Sequence, residues 1–283
     1  MRNLAQLKKD LEFNKSLTSF TEVLKIIAVT QFRSFELKLK TFERLRHVLE
    51  NIIGSIDMAG IKHPFLTPER QESCVVAVTS DAGLMGGLNI QVANAAIQEL
   101  EKNGGELAVI GERGQNYLRD RGARFASFPG VIEEERVNQA VEIRRWAMEK
   151  MSENCGRFVV VFPRALSITM QKVEAAQLLP FQISEKFVSQ AKESSERDFI
   201  FESKPADVLE YLLKLWSGQK IYEIFGLSRL AEFAARFVHL EESSQRLKKL
   251  EQSLHRQYFR ERHEIIDRGM RELFTARSLY ARK

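Results

Sequence analysis

Cys74-Val-Val-Ala-Val-Thr79 runs directly into Ser80-Asp-Ala-Gly-Leu-Met-Gly-Gly-Leu-Asn89. The first six residues form a short apolar run rich in β-branched side chains, the pattern of a strand covered on both faces. The glycine-rich ten make a turn, and Ile90–Lys102 then reads as a helix. The same strand–turn–helix order recurs at Leu107-Ala-Val-Ile110, Gly111-Glu-Arg-Gly114 and Gln115–Arg121. A helical stretch, Glu133–Ser152, precedes a third apolar run, Phe158-Val-Val-Val-Phe162, and Thr169–Leu179 is a further candidate strand ended by Pro180. Strands alternating with helices predict an α/β unit with a mostly parallel sheet.

Working outward, the breakers divide the chain. All six prolines lie between positions 64 and 205, and residues 1–63 and 206–283 hold only five glycines. Proline costs a helix interior about 3 kcal/mol and glycine about 1, so both flanks are free to form long helices. In the first, Leu17, Phe20, Leu24 and Ile27 recur at spacings 3, 4, 3, and then Phe35, Leu39, Phe42, Leu45, Leu49, Ile52 and Ile56 at 4, 3, 3, 4, 3, 4. Such a stripe lies along another helix. Gly54, Gly60 and Pro64 mark its exit. The second flank is expected to begin with a helix over Ala206–Trp216 and a break at Gly218. Phe233, Phe237, Leu240, Ser244, Leu247, Leu254, Tyr258 and Ile265 then trace a narrow stripe. The expected division is therefore 1–63, an N-terminal coiled-coil helix; 64–205, a central Rossmann-like α/β domain; and 206–283, a C-terminal coiled-coil helix. The arms are expected to pair as an antiparallel coiled coil projecting from the centre, with a compact bent bundle as the alternative.

Composition excludes several classes. With 44% hydrophobic and 29% charged residues the chain is neither disordered nor rich enough in apolar runs to span a membrane. Two unpaired-looking cysteines suit a reducing compartment, and no secretory leader is evident. The glycine-rich loop fits neither of the common phosphate-binding spacings, which favours a structural turn. The five histidines and two cysteines show no zinc spacing. His255 and His263, eight apart, read as solvated or interfacial. Cys74 reads as core, and Cys155 has no evident activating base. The net charge of +5 sits mostly in Glu241–Lys283, which carries 11 Lys and Arg against 7 Asp and Glu. Interleaved acids there favour a protein-facing or solvated helix over nucleic acid.

Several motifs in order resemble the gamma subunit of F-type rotary ATP synthases. Ser80–Asn89 resembles that family's SDxGLCGGLN loop, with Met85 in place of cysteine. Leu24-Lys-Ile-Ile-Ala28 with Phe32-Arg33 resembles MKMVA and the LR after it, and Leu178-Leu-Pro180 matches LLP. Phe199-Ile-Phe-Glu202, Pro205 and Val208–Leu213 resemble YxFEPxxxxVLxxLL, and Glu232–Val238 resembles EHAARMV. Tyr258-Phe-Arg-Glu-Arg262-His263, with Glu272-Leu further on, follows YNxARQ and EI; Phe259 and His263 replace the family's asparagine and glutamine. The resemblance implies a non-catalytic central shaft that couples ion flow to ATP synthesis or hydrolysis, with no cofactor and no metal of its own. It implies the alpha and beta subunits of the catalytic head, an epsilon-type subunit and the membrane c-ring as partners, without nucleic acid or direct membrane insertion. The implied location is peripheral, on the cytoplasmic side of a bacterial inner membrane or an equivalent energy-coupling membrane, as part of the complex. Leu24, Lys25, Arg33, Arg236, Arg262, His263 and Glu272 are the implied head contacts, and Phe199, Phe201 and Glu202 the implied foot on the ring. A structural adaptor or specialised rotary paralogue, and a nucleotide-binding enzyme built on residues 73–200, remain the other classes.

Overall fold

The computed structural model describes residues 4–39, 43–54, 56, 61, 63–182 and 203–280; the side chains of 39, 43–47 and 278–280 lie outside that description. Phe199, Phe201 and Glu202 also lie outside the described residues. The elements in chain order are α1 (Leu4–Leu39), α2 (Glu43–Gly54), β1 (Ser73–Val78), α3 (Leu88–Asn103), β2 (Gly105–Ile110), α4 (Glu112–Asp120), β3 (Ala126–Phe128), α5 (Arg136–Glu153), β4 (Arg157–Ala165), β5 (Gln171–Leu179) and α6 (Pro205–Tyr280). Two compact units emerge, Met1–Ile27 with Val238–Lys283, and Ala28–Phe237.

The larger unit is built on a five-stranded sheet of order β3-β2-β1-β4-β5. The first four strands are parallel and β5 runs antiparallel to β4. Alternation along each strand sorts the core into two layers. Val75, Ala77, Leu107, Val109, Val159 and Val161 face one way, onto Val92, Ala93 and Ala96 of α3 and Leu118 of α4. Cys74, Val76, Val78, Ala108, Ile110, Phe158 and Val160 face the other, onto α5 through Ala140, Ile143 and Ala147. That second layer also takes in Leu49 and Ile53 of α2 and Leu209, Leu213, Ile221, Ile224 and Phe225 of α6. This is why the compact units do not meet at positions 64 and 205: residues on both sides of the central segment are core of the sheet domain.

Leu49 and Ile56 of the expected stripe are buried beside Ile53 in the sheet domain's core. Two expectations are corrected. Gly218 does not break α6, which continues for 76 residues. A side chain there would approach the Arg144 guanidinium to 3.3 Å, so its bareness leaves space for Arg144, which donates to the Lys214 carbonyl. Finally, Leu17, Phe20 and Ile27 are 37, 61 and 45% exposed, so that stripe is not the buried seam of α1.

In the smaller unit the seam of α1 passes instead through Leu7, Asn14 and Thr21, all buried, at heptad spacing. Asn14 donates through Nδ2 to the Leu247 carbonyl at 3.1 Å, Ser244 donates to Glu22, and Lys25 reaches Glu241. Positions rise on α1 as they fall on α6, so the two helices run antiparallel. Leu240, Ser244 and Leu254 of the expected α6 stripe are buried, whereas Ile265 is half exposed.

Candidate functional site

The glycine-rich loop is held at both ends. The Thr79 hydroxyl donates to the Ile110 carbonyl at 2.6 Å and accepts from the Gly114 amide at 3.2 Å. The Ser80 amide donates to Asn89 Oδ1, and Asn89 Nδ2 donates back to Ser80 Oγ. Asp81 Oδ1 accepts the Glu112 amide at 2.7 Å, a charge placed at the start of α4 where the helix dipole favours it. Between these clasps Leu84 and Gly86 take left-handed backbone, at φ of 63° and 58°. For leucine this costs about 1 kcal/mol. The turn sends Met85 and Leu88 inward against Ala235 of α6, while Leu84 stays 51% exposed.

At the end of β4, Ala165 and Ile168 pack on Phe32, Phe35, Leu230, Phe233 and Ala234. The Phe35 and Phe233 rings meet edge to face, 6.0 Å between centroids. The carboxyl edge of the parallel strands is where open α/β sheets take nucleotides and other ligands. Here the chain's own α1 and α6 occupy that edge, so the central domain uses its ligand-binding position as a helix seat. This weighs against the nucleotide-binding enzyme.

Beside that seat lies a buried charge cluster. Glu232 is 4% exposed, and Arg229 donates to its carboxylate at 2.7 Å. Burial pushes the Glu232 carboxyl up to about 6, against the pull of Arg229 and Arg236, with Asp81 adding a like charge. Burial also lowers the Arg236 guanidinium, which stands 5.9 Å from the Phe233 ring. Arg236 therefore belongs to an internal network as well as to the surface.

In the smaller unit the ionic hub is Glu22. Lys25 meets it at 2.5 Å and Glu241 at 2.9 Å, while Lys248 reaches Glu22 at 2.9 Å. The hydrogen bonds from Lys25, Ser244 and Lys248 hold the Glu22 carboxyl down at about 2. Its bonds to Glu22 and Glu241 raise Lys25, and the bonds from Lys25 and Gln245 lower Glu241.

The residues implied by sequence thus fall into three environments. Lys25 and Arg236 are engaged within their own units, and Leu24 is half-buried. Arg33, Arg262, His263 and Glu272 are exposed; the His263 ring touches only its own helix, at the Phe259 carbonyl. Leu24, Lys25, Arg262, His263 and Glu272 lie in the smaller unit, and Arg33 and Arg236 in the larger. What the sequence reading missed is apolar: Phe13, Phe20, Val23 and Ile26 on α1, and Phe259, Ile265, Ile266, Met270, Leu273 and Phe274 on α6, are all between 48 and 69% exposed. The signal was present, because Asn14 and Thr21, a heptad apart on α1, share the seam with Leu7 and leave other hydrophobic side chains of that helix outside. Among the described residues no group of three or more His, Cys, Asp or Glu could hold a metal, and no helix is long and apolar enough to cross a membrane.

A family model described as ATP synthase matches residues 3–278. The chain belongs to this family. Among its curated relatives, the ATP synthase gamma chain of Pelotomaculum thermopropionicum is 27% identical over 253 residues, covering 86% of this chain and 87% of that one. The ATP synthase gamma chain of Alkaliphilus metalliredigens is 24% identical over 279 residues, 96% of each. Two solved structures share the fold. A chain of the Euglena gracilis mitochondrial ATP synthase, in an assembly of OSCP, F1 and c-ring, aligns over 97% of this chain and 93% of that chain, with a TM-score of 0.69 and 17% identity. A chain of the Tetrahymena thermophila mitochondrial ATP synthase central stalk and c-ring aligns over 80% and 99%, with a TM-score of 0.57 and 17% identity. The sheet domain with long N- and C-terminal helices is therefore the architecture of this ATP synthase family.

Proposed function

We propose that this chain is the central-stalk gamma subunit of an F-type ATP synthase or ATPase, a diverged member that transmits torque between the membrane ring and the alpha/beta head. The observation that carries the proposal is the inverted helical pair of the smaller unit. Its seam sets Asn14, Thr21, Ser244 and the Glu22 hub among Leu7, Leu240 and Leu254, while many large apolar side chains stand outside. A helical pair in water arranges itself the other way round. An apolar exterior of this extent marks a surface that a partner covers. In a rotary machine that partner is the ring of alpha and beta subunits.

The division of labour follows. The internal hub fixes the register of the two helices, so torsion along one is carried to the other. The apolar exterior slides against the head without directional bonds, and the exposed charges Arg33, Arg262, His263 and Glu272 mark positions along it. Exposed ion pairs contribute about 0–1 kcal/mol each, weak enough to release at every step. The half-buried Leu24, with Lys25 and Arg236 at the edges of their internal networks, completes the head-facing set. Phe199, Phe201 and Glu202 form the foot toward the c-ring, with an epsilon-type subunit beside it. The chain itself performs no catalysis and sits peripherally on the cytoplasmic side of a bacterial inner membrane.

The test is a native pull-down from detergent-solubilised membranes with mass measurement of the intact complex. The expected species contains one copy of this chain with three alpha-type and three beta-type subunits. Recovery of the chain alone, or with a head that shows no ion-dependent ATPase coupling, would overturn the rotary reading and leave an adaptor.

A further inference from the structure

Arg136, the first residue of α5, is 2% exposed, a costly place for a cation. It stands at the helix end whose free amides disfavour positive charge, and Glu133, which it meets at 3.1 Å, is itself 36% exposed. Two aromatic rings flank the guanidinium. Its central carbon lies 4.0 Å from the Tyr222 ring centre on α6 and 5.6 Å from the Phe35 ring centre on α1, and Nη2 donates to the Tyr222 hydroxyl. Phe35 in turn meets Phe233 of α6 edge to face, and Arg229 and Arg236 stand over the Phe233 ring at 5.4 and 5.9 Å. This buried cation thus links α5, α1 and α6 within the larger unit.

Burying a charge generally costs more than its ion pair returns, and an apolar side chain of similar size leaves stability equal or higher. What the guanidinium adds is direction: it is planar, with donors in a fixed fork, whereas apolar groups pack without a preferred angle. We propose that Arg136 is a positioning residue that fixes the rotation of α1 about its own axis against α5 and α6, so that torque borne by the sheet domain passes to α1 without slip. The torque step rests on the rotary reading above; the fixing of α1 stands on the contacts alone. Phe32, Leu230 and Ala234 supply apolar adhesion to the same seat, and adhesion of that kind tolerates a small turn of α1. The cation does not. Attraction between a cation and a ring fades beyond about 6 Å from the ring centre, and Phe35 already stands at 5.6 Å, so a turn of α1 that carries the ring outward breaks the contact.

The experiment places spin labels on Leu37→Cys of α1 and Val137→Cys of α5, positions 71 and 61% exposed, in the full-length chain and reads the width of their distance distribution. Arg136→Met keeps the side-chain length, removes the cation and returns Glu133 to water, so its urea midpoint should be unchanged or higher. Its distance distribution should nevertheless widen at least about twofold. Tyr222→Phe, which keeps both rings and removes only the hydroxyl, and Arg136→Lys, which keeps the charge without the fork, should each fall between; the former reads the contact even where Arg136→Met does not fold. In the native complex in membrane vesicles, Arg136→Met should keep ATP hydrolysis while ion uptake per ATP drops by at least about half, and Arg136→Lys should recover part of it. A lowered midpoint with unchanged width, unchanged width in Tyr222→Phe, or a lysine variant no better than methionine would overturn the clamp. Hydrolysis and uptake falling in proportion, or an unchanged ratio, would overturn its part in torque. An unmutated complex without ion-dependent hydrolysis would overturn the rotary reading and the torque step with it, while the label widths still decide the clamp.

Discussion

Glu232 offers a direct test of how the helix seat is held together. Its carboxyl rises from an ordinary value near 4.5 to about 6 because burial outweighs the attraction of Arg229 and Arg236. A carboxyl whose folded value is raised binds its proton more tightly in the folded chain than in the unfolded one. Its contribution is therefore fully present below about pH 4.5 and is lost as pH rises through about 6. The gap is equivalent to about 2 kcal/mol. Glu232→Gln replaces the carboxyl with a neutral group of the same shape and removes this dependence. It also leaves Arg229 beside Arg236 without a carboxylate between them, a repulsion that is the same at every pH in the range. The informative quantity is thus the change in the stability difference between the two proteins, not the difference itself. Urea unfolding followed by circular dichroism at intervals from pH 4.5 to 7.5 should show the variant gaining about 2 kcal/mol on the parent, with most of the change between pH 4.5 and 6.5. A difference that stays flat across the range, or moves toward the parent as pH rises, would refute the claim that burial dominates at this carboxyl.

The Glu22 hub should respond in the opposite sense. Its lowered carboxyl stabilises the helical pair above about pH 4.5 and loses that effect as pH falls toward 2, so Glu22→Gln should cost about 1 kcal/mol at pH 7, after screening of a part-exposed group, and nothing near pH 2, by thermal melts across pH. Phe35→Ala removes a ring packed edge to face on Phe233 and should lower stability by about 3 kcal/mol in the same assay. Gly156→Ala would place a methyl group within 1.9 Å of the Arg70 backbone carbonyl oxygen, which cannot swing aside as a side chain could, and should destabilise the sheet domain by at least about 2 kcal/mol or abolish soluble expression. Arg262→Glu lies on an exposed stretch of α6 and should leave the melting temperature unchanged while reducing ion-coupled ATPase activity of the reconstituted complex; unchanged coupling removes Arg262 from the head contacts.

β1, β2 and β4 were legible because each carries a continuous apolar run with β-branched residues, and a buried parallel strand needs nothing more. β3 escaped notice because Ala126-Ser-Phe128 is three residues long and carries no such run. The helices of the flanks were legible from the absence of proline, but their inward faces were not. Hydrophobic periodicity assigns the apolar stripe of a helix to the inside, and on α1 that rule selects Leu17, Phe20 and Ile27. It fails when the inside is polar and a partner supplies the apolar environment outside. Gly218 was misread for a related reason: glycine weakens a helix in isolation, whereas here Arg144 lies against the bare position.

These misreadings point to the same physical conclusion. A chain that folded for itself alone would place Leu17, Phe20 and Ile27 in its helical seam and keep Asn14, Thr21 and Ser244 outside. Replacing a buried polar seam by apolar residues generally raises the stability of a helical pair, while a single buried Asn at a seam position fixes register at the expense of stability. The observed arrangement accepts the less stable seam and exposes side chains whose burial would be worth about 1.5–3 kcal/mol each. That trade makes sense only when the exposed face is completed by another molecule, so the polarity of the seam is itself the record of a partner. It also separates the two halves of the helices by task. Around Phe35, Phe233 and Ala235 the seam is apolar and the loop of Met85 clamps it, which anchors the helices to the sheet domain. Around Glu22, Lys25 and Glu241 it is ionic, which keeps register and leaves the outer surface open.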